Sequence, residues 1–524
     1  MKRIVSLVLG VGLLLSLLGG IAYAEEKTYA EPITLTWAQA GVNEGVDLTG
    51  DAYGQYWLNK FNVTLDVIPM TFDAWEERLR IWINSGDMPD VANFSAYQYG
   101  ELVDYVDQEL IYRLPDGWQD RWTNVSAAQS YVPAASAIAD NLDGTYLLLR
   151  PVFSIHKPAE KLSYHTLLYM RKDWMEAVGA ELKDTYTIDE ITEIARLIKE
   201  NDPGALGGNL LPMCIETTNM GNVLPKNIFT HSVNNPYYRG EEGRYTWGPA
   251  DPLTLEGLKI YQMWYKEGLL DPEFYTLEKS FGDQYRFYYE GNVGIITADG
   301  MAGRMKLFYT ELENIELDPE ASLHIAQLVG NDGKYHQNEQ SNYWASIIFS
   351  PTISDAKFER AMDMIDFSAS LEGQELINMG FKDADWTVDE SGDYVNLLPD
   401  QGFTGLDKKY PSTQSLWGGM LCLGDDFAFV SPSNPKEFRD LVAKFYALRD
   451  ELGQDPATFL DIDWDIAFYS SPVMSQATMT LADEYAQLVL MDGDLEANWN
   501  NWVNEKMRVV QPVLDELNEK FPPK

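Results

Sequence analysis

FNVTLDVIPMTFDAWEERLRIWINSGDMPDVANF, residues 61–94, is the stretch that decides the fold. Val63, Leu65 and Val67 alternate with Thr64 and Asp66, the period-two pattern of a strand from Val63 to Ile68. Asp73 followed by Glu76 makes a capping-box-like helix start. Trp75, Leu79, Trp82 and Ile83 then share one helical face, and Gly86 supplies a left-handed stop. Pro89-Asp90 leads into a short strand, Val91–Phe94. Upstream, Ile33 to Trp37 alternates as a strand, and Asp51 to Phe61 reads as a helix. Strand, helix, strand, helix, strand is a βαβ series, which predicts a parallel sheet.

The pattern restarts after residue 160. Thr166 to Met170 is strand-like, and Asp173 with Glu176 caps a short helix ending at Gly179. Thr187 and Glu190 form a capping box ahead of Ile191, Ile194, Leu197 and Ile198, and Pro203-Gly204 closes the segment. Leu255, Leu258 and Tyr261 lie on a helix that stops at Gly268. Later helices are expected at Ser354–Phe367, Ala477–Met491 and Asn498–Leu517. The chain reads as α/β with more than one lobe.

Length, charge and the first residues bound the rest. The 524 residues carry 39 Lys plus Arg against 81 Asp plus Glu, a formal charge of -42. That sign excludes bulk attraction to nucleic acid, which needs cations to displace counterions from phosphate. It also opposes docking on anionic membranes. Lys2 and Arg3, an apolar run from Ile4 to Leu18 and the small-x-small site Ala22-Tyr23-Ala24 form a secretory signal peptide over residues 1–24, cleaved after Ala24. Losing Lys2 and Arg3 takes the charge to -44. There is no lipoprotein cysteine at that site, and no later segment has the apolar length to span a bilayer. An exported protein, periplasmic or extracellular, without membrane insertion is expected. Cys214 and Cys422 are the only cysteines, and the sequence leaves open whether they pair.

Several segments, in order, resemble family 1 extracellular solute-binding proteins of ABC importers. They are Phe61-Asn62-Val63 through Ser85-Gly86-Asp87-Met88-Pro89-Asp90-Val91, then Leu168 to Trp174, Tyr265 to Phe274 and Tyr289 to Gly294. Phe367 to Gly373 and Trp499-Asn500-Asn501-Trp502-Val503 complete the set. The size is similar to the oligosaccharide-binding branch that includes alginate-oligosaccharide binders. The resemblance implies a two-lobed, periplasmic-binding-protein-like (type II) α/β fold with a hinge and an interlobe ligand cleft. It implies one lobe from residues 25–155 with 340–400, and the other from 156–339 with 401–524. It also implies a non-enzymatic receptor, acting as a monomer, that carries an oligosaccharide to a permease by lobe closure. No cofactor follows from it. One departure concerns calcium. Where alginate-binding relatives carry an Asp/Asn-rich loop, this chain has Asn201-Asp202-Pro203-Gly204-Ala205-Leu206-Gly207-Gly208-Asn209, with one carboxylate where Ca²⁺ wants six to eight oxygens. Asp461, Asp463 and Asp465 alternate and read as a solvated acidic loop.

In open α/β sheets ligands sit beyond the carboxyl ends of strands. Sugars need aromatic platforms beside planar hydrogen-bonding side chains. Candidate ligand contacts are therefore Trp37, Gln39 and Asn43; Asn93, Ser95 and Tyr97; Asp299 and Arg304; Gln340 and Trp344; and Trp417 in Gly-rich surroundings. Trp37 equally suits a strand-end core position, and Arg304 equally suits a surface ion pair. Trp75, Trp82, Trp499 and Trp502 lie on apolar helical faces and read as core. Two rival functions stay open: an exported glycoside hydrolase, which needs two carboxylates across a scissile bond, and a peptide-binding protein of the same fold. Zinc-protease, serine-hydrolase and P-loop motifs are absent, and His156, His165, His231, His324 and His336 are scattered.

Overall fold

The computed structural model describes residues 28–42, 44–95, 99–151, 166–214, 236–240, 242–275, 290–338, 343–390, 392, 394–416, 436–453, 455, 458–460 and 462–523. In chain order the strands are β1 (Ile33–Ala40), β2 (Val63–Met70), β3 (Val91–Phe94), β4 (Leu148–Pro151), β5 (Thr166–Arg171), β6 (Thr185–Thr187), β7 (Leu211–Cys214) and β8 (Tyr237–Arg239). They continue as β9 (Tyr245–Trp247), β10 (Val293–Asp299), β11 (Leu323–Val329), β12 (Gln337–Asn338), β13 (Tyr343–Phe349), β14 (Trp386–Val388), β15 (Tyr394–Asn396) and β16 (Phe459–Leu460). Two five-stranded open sheets dominate, ordered β2-β1-β3-β13-β4 and β6-β11-β5-β10-β7.

The βαβ series read from residues 33–94 builds the parallel part of the first sheet, with β1 pairing in parallel to β2 and β3. The sheet as a whole is mixed, not parallel: β13 runs antiparallel to both β3 and β4. In the second sheet β5 runs antiparallel to β10 and β11. The reversed strands share a cause. Each is the first strand laid down after the chain has left the other sheet, so it enters at the edge where its neighbours end. The outer edge of β4 is closed by a side chain: Gln129 donates to Leu149 O (2.7 Å) and accepts from Leu149 N (2.9 Å).

Both faces of the first sheet are buried. Leu35, Trp37, Val91, Ile347 and Phe349 pack with Trp57, Phe61 and Phe358 on one face. Ala38, Ala92, Phe94 and Ile348 pack with Trp75, Leu79, Leu102 and Tyr105 on the other. The SGD-x-PD turn owes its shape to two residues. Gly86 ends its helix at φ 76°, where a side chain would be strained. Asp90 accepts from Thr36 N (2.8 Å), Thr36 Oγ1 (3.0 Å) and Lys357 Nζ (2.7 Å), stitching β1 to the helix Asp355–Ala369. The second sheet is likewise covered on both faces, by a large cluster around Tyr261, Trp264 and Tyr485 and a smaller one around Tyr169, Phe308 and Phe445.

Local starts differ from expectation in two helices. Thr71, not Asp73, caps Phe72–Ser85, its hydroxyl accepting from Ala74 N at 3.4 Å, because the helix begins as soon as β2 ends. Lys172–Ala177 has no side-chain cap, since Asp173 turns back to take Arg171 in a bidentate pair (2.8 and 2.6 Å). The Thr187–Glu190 capping box is present as read. The expected helix at 477–491 is the shorter Leu481–Leu490, and that at 498–517 is the longer Leu495–Lys520, capped by Asp494.

Two acidic segments are occupied by the protein itself. The Asp202 carboxylate accepts from Leu206 N (2.9 Å) and Gly207 N (2.7 Å), so the 201–209 loop folds around its one carboxylate. Asp463 and Asp465 do not form a solvated loop: Arg239 pairs with both, at 3.1 and 2.9 Å. Asp461 lies outside the described residues. Cys214 is buried in β7, and Cys422 lies outside the described residues.

Candidate functional site

The carboxyl-terminal edge of the first sheet gathers four of the candidate residues. Gln39 stands at the end of β1 and Asn93 in β3, and continuing the Trp37–Val91 register puts them side by side on one face. Asn93 is fully buried, its Oδ1 accepting from Ala40 N (3.2 Å) and its backbone oxygen from Trp75 Nε1 (2.8 Å). It therefore holds the ends of two strands and a helix together. Ser95 is buried one residue beyond β3, beside a ≈ 10 Å³ cavity bounded by the Arg80–Glu101 pair (2.9 Å). That volume holds about one water.

Trp344 is the second residue of β13, which starts at Tyr343. Its half-buried ring meets Trp75 at 5.6 Å between centroids. A local defect aims it there. Ala345 sits at φ 61°, and the pairing with β4 shifts between Tyr343 and Ser346. The extra residue puts Tyr343, Trp344 and Ala345 all against the Trp75 cluster. Burial pushes the Tyr343 hydroxyl up.

Sequence reading missed Arg150. This wholly buried residue sits at the end of β4, its guanidinium 5.8 Å from the Trp344 ring centroid. The available signal was a lone cation directly after the apolar run Tyr146 to Leu149, where an arginine is costly to bury unless it has partners.

At the same edge of the second sheet, Asp299 closes β10 and Arg304 lies on the helix Ala302–Asn314 that follows. The structure joins these two candidates, Nε to Oδ2 at 2.8 Å, so Arg304 pairs with its fellow candidate instead of a surface acid. Tyr169 donates to the Asp299 backbone oxygen at 2.8 Å, and the Tyr446 hydroxyl accepts from Ala302 N at 3.3 Å. Four side chains and backbone thus fix one loop.

Trp37 stands apart. It is 1% exposed, packed with Trp57 and Phe61, and its Nε1 has no hydrogen-bond partner among the described residues. Its core alternative is the one its packing matches. Trp75 and Trp499 are buried, and Trp82 and Trp502 pack partly buried against the same cores, as their helical faces imply. Asn43, Tyr97, Gln340 and Trp417 lie outside the described residues. Among the described residues no group of three or more His, Cys, Asp or Glu is placed to hold a metal ion, and no helix is long and apolar enough to cross a membrane.

No family model matches the chain, and no curated protein does. Solved structures are similar over nearly its whole length. An extracellular solute-binding protein from Bifidobacterium longum subsp. infantis superposes with a TM-score of 0.63 at 16% identity, covering 93% of this chain and 98% of that one. The alginate-binding protein AlgQ2, solved without calcium ion, gives 0.62 at 16% over 93% and 97%. The ABC-transporter substrate-binding protein FusA of Streptococcus pneumoniae, in complex with kestose, gives 0.59 at 14% over 92% and 97%. At such identities the likeness carries the fold, which is two-lobed and periplasmic-binding-protein-like, with two open mixed sheets flanked by helices. The scores are nearly level across these proteins, so the alginate-binding branch is not singled out.

Proposed function

We propose that this chain is the solute-binding component of an ABC importer, exported after cleavage at Ala24, monomeric and non-enzymatic. It captures an oligosaccharide between its lobes and presents it to a permease on closure. The observation that carries the reading is the repeated chemistry of the two strand edges. Gln39, Asn93 and Ser95 stand at the carboxyl-terminal edge of the first sheet, the edge from which Trp344 enters β13, and the paired Asp299 and Arg304 stand at the same edge of the second. Planar hydrogen-bonding groups beside an aromatic ring suit the hydroxyl rims and apolar faces of sugars. Asn43, Tyr97, Gln340 and Trp417 are proposed to complete the site, and Trp37, packed in the core, is left out of it. The ligands named for the similar structures, alginate and kestose, support a carbohydrate. The lobes are proposed as residues 25–155 with 340–400, and 156–339 with 401–524.

A ligand favours the closed form only through contacts made better there, so both lobes must touch it. Thermal unfolding of the mature chain against oligosaccharide and peptide panels tests the reading. A ligand at about 100 times its dissociation constant adds about 2.7 kcal/mol. Stabilisation by peptides and by no glycan would sink the carbohydrate assignment. Reducing-end release from a glycan, abolished by changing one carboxylate, would identify a hydrolase instead.

A further inference from the structure

Residues 463–470 touch both lobes, and the two contacts differ in kind. Toward the second lobe they are anchored by directional bonds. Asp463 and Asp465 pair with Arg239, and Tyr245 donates to Asp463 at 2.7 Å. Ile466 is buried in the cluster of Tyr485 and Leu514, and Tyr469 meets Phe521 edge-on at 5.3 Å while donating to Glu516. Toward the first lobe, among the described residues, they present rings and a close approach. Trp464 and Phe468, four residues apart, stack at 5.7 Å and pack on the Trp75 cluster, where Phe468 meets Tyr99 edge-on at 5.3 Å. A Cβ on Gly100 would stand 2.9 Å from Ser470 Oγ.

We propose that this segment is a strap, fixed to the second lobe and riding on the first through an apolar bearing whose contacts bias the equilibrium between lobe arrangements. Ion pairs and hydrogen bonds hold one geometry, whereas burial of apolar surface is non-directional and lets the packed faces slip. Place supports the same assignment. The strap begins shortly after β16, whose two-residue parallel ladder with β12 lies where the chain passes from β11 in the second sheet to β13 in the first. Lys334 and Asp455 pair across the same crossing at 3.0 Å. A bearing beside a pivot converts a small slip into lobe rotation. The strap acts without ligand, so it stands independently of the sugar assignment.

The test is pulsed electron paramagnetic resonance on ligand-free protein lacking both native cysteines, with labels at Ile81→Cys and Leu253→Cys, exposed sites on opposite lobes. Phe468→Ala removes one bearing ring and is expected to change the ratio of lobe arrangements roughly three- to tenfold, the weight of an aromatic pair. Gly100→Ala is the safer variant, because alanine favours its helix while its Cβ presses on Ser470. It should shift the same distribution, and adding Ser470→Gly should restore it. Unchanged distance distributions in both Phe468→Ala and Gly100→Ala would overturn the proposal, as would a shift in Gly100→Ala that Ser470→Gly leaves in place.

Discussion

Removing the Asp299 carboxylate should loosen the second lobe at the carboxyl-terminal end of β10 by an amount the geometry sets. Asp299 Oδ2 meets Arg304 Nε at 2.8 Å, its Oδ1 accepts from Met301 N at 3.3 Å, and the two side chains are 23% and 13% exposed. A hydrogen bond to a charged partner contributes about 1.5–3 kcal/mol. The guanidinium left behind keeps some access to water, which limits the further penalty of an unpaired charge. Asp299→Ala is therefore expected to cost about 2 kcal/mol. In a lobe-sized unit that lowers the midpoint of thermal unfolding by roughly 4–8 °C. The assay is calorimetry on ligand-free protein, run as a double-mutant cycle with Arg304→Met. A real pair gives a coupling of about 1 kcal/mol or more, so Asp299→Ala should cost about half as much once Arg304 is gone, the lost Met301 N–H bond accounting for part of the remainder. Most of the coupling should survive 0.5 M salt, a condition that screens exposed pairs. Additive single effects, with coupling near zero, would refute the argument that the pair is what holds this loop.

Four further outcomes are expected. Trp344→Ala should leave the unfolding midpoint within a few degrees but reduce ligand-induced stabilisation in titrations with any glycan that stabilises the unaltered protein; an undiminished response would remove Trp344 from the site. Gly373→Ala would place a Cβ 1.9 Å from Phe367 O, so urea unfolding should show a loss of about 1–3 kcal/mol. Thr187→Ala should cost about 1 kcal/mol, because it removes the hydroxyl that accepts from Glu190 N. Burial holds the His324 imidazole below its usual value of 6.5. Its ring Nε2 lies 2.8 Å from Lys183 O and 3.2 Å from the Tyr186 hydroxyl. The unfolded chain then takes up this proton first, and the stability contribution of His324 falls as pH drops below 6.5 toward the folded value. An NMR titration of that imidazole reading 6.5 or higher would contradict the assignment.

The fold was legible where local chemistry repeats at a fixed period or spacing. Val63, Leu65 and Val67 give β2 directly, and the Thr187–Glu190 pair marks its helix start to the residue. Orientation was not legible for β13 and β5, because direction depends on which side the chain returns from, and that is a property of the whole path. Capping failed at Asp73 and Asp173 for a related reason. An Asp with Glu three residues on looks like a cap, but Thr71 was already placed by the end of β2, and Arg171 outcompeted the backbone for Asp173. Of the proposed site, Asn93, Ser95, Asp299 and Arg304 became candidates because they lie at or just beyond the carboxyl ends of apolar strands, and the structure brings Asp299 and Arg304 together as a pair. Arg150 escaped because a pattern of leucines hides its one cation. The Asp463 and Asp465 partner escaped because Arg239 lies more than two hundred positions away in sequence.

The insertion at Ala345 has a consequence for how this site is encoded. A buried alanine in the left-handed region carries strain of about 1 kcal/mol or more, which the sheet around it absorbs. Deleting that one residue would restore strict alternation along β13, with Ser346 still facing the Trp75 cluster. The indole of Trp344 would then point to the opposite face of the sheet, among Trp37 and Phe358. Sheet order would be untouched. The side of the sheet on which this indole stands is thus set by a single-codon length change, so within this architecture loss or gain of one residue moves an aromatic ring from one core to the other.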